Sequence, residues 1–182
     1  MVNRLLLAAF FLLTLPLAMA QQQRPPSDYE NWDVCPFECC TYREWTADRE
    51  IPIHASRSDQ SAVLFRVRPD ETVRAVTGVV VTHKPGVVTL DRPVQDGFVA
   101  DSDRPQLSLK AGDVVYFLSP LGEGQYLFWY QGKVYRSGGD LASMPGVDAR
   151  DARMTWWKLV KNRAGNSGWT HSDRFRHVDA CG

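Results

Sequence analysis

Trp156-Trp157-Lys158-Leu159-Val160-Lys161-Asn162-Arg163-Ala164-Gly165-Asn166-Ser167-Gly168-Trp169-Thr170-His171 reads as two strands joined by a tight connection. Trp157 and Leu159 alternate with Lys158 and Val160, the period of two that a strand requires. Gly165-Asn166 supplies residues that tolerate positive φ, as a hairpin connection needs. Gly168-Trp169 opens the return strand, and Ser172-Asp173-Arg174-Phe175 follows as a short polar turn ending on an aromatic. No stretch carries long helical periodicity, and short apolar runs punctuated by Gly and Pro favour an all-β fold.

Working outward, Leu107-Ser108-Leu109-Lys110-Ala111-Gly112-Asp113-Val114-Val115-Tyr116-Phe117-Leu118 gives a strand, a Gly-Asp turn and a buried strand. Ser119 to Gly124 reads as a loop, and Gln125-Tyr126-Leu127-Phe128-Trp129-Tyr130 as an aromatic strand. Gly132-Lys133 suits a two-residue turn with Gly first, returning through Val134-Tyr135-Arg136. Before that, Ile51-Pro52-Ile53-His54, Ala62 to Arg68, Val73 to Thr82 and Val87 to Leu90 read as strands, with Gly78 as a bulge or bend.

The Trp-rich strand, glycine turn, Gly-Trp strand and short polar turn resemble the end of a bacterial SH3-like (SH3b) domain. The Leu107–Leu118 opening and the start of the Ile51 region resemble the beginnings of such modules. The segment Cys35-Pro36-Phe37-Glu38-Cys39-Cys40-Thr41-Tyr42-Arg43-Glu44-Trp45 is similar to the N-terminal segment of uncharacterised exported bacterial proteins carrying SH3-like modules. The resemblance implies small SH3-like barrels, two in tandem: a first module over residues 50–100 and a second over 101–182, with an inserted loop at 137–154. A single enlarged barrel decorated by the first region is the second choice.

Met1 to Ala20 has one charge, Arg4, then an apolar run from Leu5 to Leu15 and the small-x-small pattern Ala18-Met19-Ala20, which predicts a cleaved export signal at 1–20. The run is shorter than the roughly 20 residues that cross a bilayer core, so no membrane anchor is expected after cleavage. Cleavage leaves 162 of the 182 residues and moves the formal charge from zero to −1, since Arg4 is lost. Such a balance gives no electrostatic case for nucleic acid. Residues 21–49 form an extended, Cys-containing lead-in, its first part through Asn31 poorly ordered.

Export to the periplasm or beyond makes disulfides the expected state of Cys35, Cys39, Cys40 and Cys181. Of three pairings, Cys39–Cys40 requires a strained adjacent-residue ring. The favoured pairing is Cys35–Cys40 with Cys39–Cys181, a small local ring plus a tie between the domain ends. A metal site is not expected, because Cys39 and Cys40 are adjacent and no histidine is near. Tyr42 and Trp45 are expected to pack over the bridges rather than form a ligand surface. Asp91, Asp96, Asp101 and Asp103 lack the calcium-loop spacing and read as a solvated linker.

Catalysis is not expected. The cysteines lie in a Pro-containing stretch with no helical signal, no G-x-S-x-G elbow occurs, and His171, His177 and Asp173 have no nucleophile set up beside them. No cofactor motif is present: Gly122-x-Gly124 lacks the rest of a dinucleotide signature. Aromatics exceed what one barrel core needs, so Tyr126, Trp129, Tyr130, Tyr135, Trp156 and Trp169 either form a binding surface or fill the core and the interface between modules, since alternation does not say which face is wet. The resemblance implies a cell-wall component or another envelope ligand, or an extended peptide, as partner. A structural or inhibitory protein that docks on another envelope protein is the alternative.

Overall fold

The computed structural model describes residues 24–99, 104–138, 140–141 and 152–180. In chain order its strands are β1 (Tyr29–Trp32), β2 (Glu44–Ala47), β3 (Ile51–His54), β4 (Val63–Val67), β5 (Thr72–Lys84), β6 (Gly86–Thr89), β7 (Val94–Asp96), β8 (Leu107–Leu109), β9 (Val114–Gly122), β10 (Gln125–Tyr130), β11 (Lys133–Arg136), β12 (Arg153–Lys161), β13 (Ser167–Thr170) and β14 (Phe175–Arg176). No helix occurs among the described residues, and none there is long and apolar enough to cross a membrane.

β5 organises the main sheet. Its β-branched run, from Thr72 through Val79-Val80-Val81-Thr82, favours a pleated, buried strand. The sheet has eight strands in the order β14-β2-β5-β12-β13-β3-β4, with β1 also on β5, and it curls into a half-barrel. Its concave face encloses Trp45, Ala47, Ile51, Ile53, Val67, Val73, Ala75, Val160 and Phe175. Lys158 points to the same face, only 2% exposed. Its ammonium donates to the Ser172 carbonyl at 2.7 Å and lies 4.3 Å from the Trp156 ring centroid. Burial lowers its pKa from 10.5 to about 8, with Asp173 opposing the shift.

The expected division at residues 50–100 and 101–182 is not how the strands pair. The Trp156 hairpin joins β5 of the first region, with Trp157 opposite Val79 and Lys158 opposite Gly78. The intervening chain forms its own four-stranded sheet, β11-β10-β9-β6, and a two-stranded β7-β8 pair. Alternation along Trp156–Lys161 fits either partner; what selects β5 is Gly78. A Cβ there would stand 2.6 Å from Trp156 Nε1 and would also collide with the Tyr42 hydroxyl. Gly78 is thus a point of close approach inside a continuous strand, not the expected bend. The ladder's two irregularities lie elsewhere, between Arg153 and Met154 and between Leu159 and Val160.

Other local expectations shift in register. β9 runs on through Gly122, so the loop expected at 119–124 is a two-residue turn at Glu123-Gly124, both with positive φ. The next turn is Gln131-Gly132, again both positive in φ, rather than Gly132-Lys133. β1 orders the end of the lead-in by pairing Tyr29 to Trp32 with Thr82 to Val79. Within the stretch expected to be a solvated linker, Asp96 is 1% exposed. Its carboxylate accepts from the backbone N–H groups of Gly97 and Gly138 at 2.6 Å each and of Leu141 at 2.9 Å. It thereby ties β7 to the chain after β11, above a core of Leu109, Val115, Phe117, Phe128, Tyr135 and Leu141. Of the loop expected at 137–154, residues 139 and 142–151 lie outside the described residues, and Arg153 already opens β12.

Cys35 and Cys40 are disulfide-bonded to each other, as expected. Cys39 is also disulfide-bonded; its expected partner, Cys181, lies outside the described residues, as does the export segment at 1–20. The Cys35–Cys40 ring reaches both sheets. Glu38 accepts from Glu123 N at 2.5 Å, and Phe37 packs edge-on against Trp156 at 5.4 Å. Ala180 N donates to Cys39 O at 2.8 Å, which draws the chain end onto this ring. A disulfide fits an oxidising compartment.

Candidate functional site

The structure divides the six aromatics expected to share a ligand surface. Tyr135 is buried in the second core, and Tyr126 and Tyr130 pack against it. Tyr130 also donates to Asp113 at 2.9 Å, and desolvation followed by that carboxylate pushes its pKa up to about 12. Trp129 is half-buried on β10, with its indole N–H enclosed and unpaired. Trp156 packs into the concave face of the main sheet, donating to Tyr42 at 3.2 Å. Trp45 is fully buried beside it and Tyr42 packs against the same core, as expected for rings over a bridge. Only Trp169 belongs to the opposite, convex face.

That convex face holds a second constellation. Side chains alternate along β5, so Val79 and Val81 face away from the half-barrel core and form a separate cluster with Trp157, against which Trp169 packs. Trp32 and Trp157 both lie opposite Val79, one on each side; Glu30 and Thr155 both lie opposite Val81. Trp169 lies opposite Leu159. Trp32 meets Trp169 edge to face at 6.1 Å. It remains 46% exposed, whereas Val79 beneath it is fully buried.

Charged groups fix this surface. The Arg57 guanidinium, from the β3–β4 loop, lies 5.0 Å from the Trp32 ring centroid and 5.7 Å from that of Trp169. Glu30 holds both partners: it pairs with Arg57 at 2.8 Å and accepts from Trp32 Nε1 at 2.9 Å. A cation over two indole faces is attracted by their quadrupoles, and its ion pair sets its position. At the next corner the His171 ring stands on Trp157 at 4.8 Å and its Nε2 lies 3.0 Å from Asp59. His54, buried alongside, bonds Ser61 O through Nδ1 at 3.1 Å. Asp59 and Arg57 thus anchor one loop at two points.

A third node lies at the far end of β5. His83 Nδ1 is 2.6 Å from Asp28, and His83 Nε2 is 3.0 Å from Thr155 Oγ1. Asp, His and a hydroxyl in this order have the connectivity of a base-activated nucleophile. Their setting is different: the His83 and Asp28 side chains are 46% and 64% exposed, on an open strand face. Acyl transfer needs a water-excluded pocket with converging donors for the developing oxyanion. The row instead fastens β1 to β5 and β12. Among the described residues no group of three His, Cys, Asp or Glu is arranged to hold a metal ion.

Sequence reasoning missed Trp32, Glu30 and Arg57. Trp32 and Glu30 fall at the end of a segment read as a lead-in, and Arg57 in a serine-rich loop. The available signal was the alternation Glu30-x-Trp32 just before the cysteines, two polar-aromatic positions on one face of a short strand. No protein-family model matches the chain, and no curated protein or solved structure matches it either.

Proposed function

We propose that the protein is an exported, non-catalytic SH3-like binding module that takes a cell-wall or other envelope ligand on the convex face of its main sheet. The observation that carries this reading is the Trp32–Arg57–Trp169 stack, half-exposed and clamped by Glu30. A surface locked in this way loses little conformational freedom on binding, which favours affinity from a small contact area. Flat indole faces beside a fixed cation suit a sugar ring or an extended peptide backbone.

The SH3-like reading draws support from strand order. β5 stands between β2 and the β12–β13 hairpin, and β14 closes on β2, so strands from both ends of the chain curl round one core. In this reading the module is single, and the second sheet is an insertion between two of its strands. The Cys35–Cys40 disulfide agrees with export.

Retention of the purified protein on isolated cell-wall material tests the reading. Trp32→Ala is expected to lose retention at least fivefold while its circular-dichroism spectrum and melting temperature stay near those of the parent, because the ring is half in solvent. Equal retention of the variant, or capture of a protein partner with no retention on cell wall, overturns it.

A further inference from the structure

The convex face continues past the indoles toward the start of β5 and ends in an open cavity of about 430 Å³ lined by Glu44, Thr72, Arg74, Lys161, Asn162 and Arg163. Three strands and one turn build it. Arg74 on β5 stands between its register partners, Glu44 on β2 and Lys161 on β12, and the β12–β13 turn adds Asn162 and Arg163. Arg57, Arg66, Arg174 and Arg176 each pair with a carboxylate. Among the described residues no ion pair includes Arg74, Lys161 or Arg163, and none of these three side chains has another polar partner there. The cavity therefore gathers three uncompensated cations and one carboxylate in a chain whose formal net charge is zero. A concave surface focuses such a field.

The polar groups between those cations narrow the ligand. Asn162 Oδ1 accepts from Asn166 N at 3.0 Å, which leaves its amide NH₂ as the group with hydrogen bonds still to donate. Glu44 accepts only, and Thr72 can do either, already lying 3.3 Å from the Thr46 hydroxyl. An inorganic dianion would be repelled by Glu44 while using the cations. A phosphate ester of a polyol or sugar uses both: its anionic oxygens meet Arg74, Lys161 and Arg163, and its hydroxyls donate to Glu44. Two guanidinium groups and an ammonium suit phosphate geometry.

We infer that this cavity is a subsite for a phosphorylated polyol or sugar unit, and that the ligand of the convex face is an extended polymer carrying such units. The polymer part of this inference rests on the binding reading above; the subsite does not. Arg74 and Val79 are five residues apart on β5, about 17 Å at roughly 3.4 Å per residue. A chain that stacks on Trp32 and Trp169 therefore reaches the cations two or three sugar-sized units further on.

Titration of the full protein with glycerol 3-phosphate, followed by NMR of the backbone amides and compared with a short poly-glutamate, tests the subsite. Glycerol 3-phosphate is expected to shift Arg74, Lys161, Asn162 and Arg163 and to bind more weakly as salt is raised. Lys161→Gln/Arg163→Gln, both exposed and outside every ion pair, is expected to weaken it at least tenfold with an unchanged spectrum elsewhere. No shift at these amides, an unweakened double variant, or tighter binding of poly-glutamate overturns the subsite. Trp32→Ala separates the two claims: glycerol 3-phosphate binding unchanged in that variant supports an independent subsite, and its loss overturns one. Retention on cell wall that falls in the double variant but not in Trp32→Ala keeps the subsite and removes the indole platform.

Discussion

The main sheet joins strands from both ends of the chain, with Lys158 of β12 facing Gly78 of β5, whereas β9, β10 and β11 follow one another and pair through two-residue turns. The main sheet must therefore close a long loop before its largest ladder forms; the second sheet draws mostly on neighbours. Their cores are separate as well, one built on Trp45 and the isoleucines of β3, the other on Phe117, Phe128 and Tyr135. Direct links include the Thr82 hydroxyl donating to Leu118 O at 3.0 Å and the Glu38 contact to Glu123. The difference teaches where the molecule would come apart: separate cores joined by few direct links predict that either sheet can loosen without the other.

The sharpest way to break this picture is Asp96→Ala. The substitution strands two buried N–H groups, of Gly97 and Leu141, and the part-buried one of Gly138, and is expected to destabilise that unit by about 4 kcal/mol. Hydrogen exchange should then accelerate across β6 to β11 while β5, β12 and β13 stay protected. Equal loss of protection in both sheets would make them one unit.

Lys158→Met probes the main sheet alone. With its pKa lowered from 10.5 to about 8, the native state holds fewer protons than the unfolded chain between those values. Stability from this group therefore rises as pH increases from about 8 to 10.5, and below pH 8 the buried charge is a full penalty. A shift of this size corresponds to roughly 3 kcal/mol at about 1.4 kcal/mol per unit. The Met variant should be more stable than the parent near pH 7, by up to that amount less the lost bond to Ser172 O. The gap should shrink as pH approaches 10. Chemical denaturation at pH 7 and pH 10 measures it; a gap that widens with pH contradicts the assignment.

The smallest expected effect tests the coupling. Replacing Cys35 and Cys40 together with Ser removes a six-residue ring, worth about 2 kcal/mol by the chain-entropy account. Because the ring touches both sheets, unfolding followed by tryptophan fluorescence and by hydrogen exchange in β9–β10 should separate into two transitions. A single transition with unchanged midpoint would relieve the ring of that role.

Much of this architecture was legible in local sequence. Alternation located β4 and the first strand of the Trp156 hairpin, β-branched and aromatic runs located β5 and β10, and Gly165, with φ of 90°, makes the predicted turn. The cysteine spacing gave the Cys35–Cys40 ring. What stayed hidden is long-range. A period of two says that Trp156 and Trp157 face opposite ways but not which partner strand receives them. It also cannot reveal that Lys158 points inward while Trp32 stays wet. Aromatic count suggested one surface, but Tyr126, Tyr130 and Tyr135 fill a core that becomes visible only once β9, β10 and β11 are laid side by side. Trp32 was overlooked because a four-residue strand beside a polar tail has almost no pattern of its own.

Lys84 and Arg153 face each other in the β5–β12 ladder, so the chain departs from the main sheet and returns to it at neighbouring positions. Antiparallel partners sit about 5 Å apart, a gap that a tight turn of a few residues spans. The ladder itself therefore sets no minimum length on that excursion beyond a short turn. The strand pairing thus makes the excursion a plug-in to the half-barrel, entering and leaving it at one point of the sheet's edge-to-edge ladder.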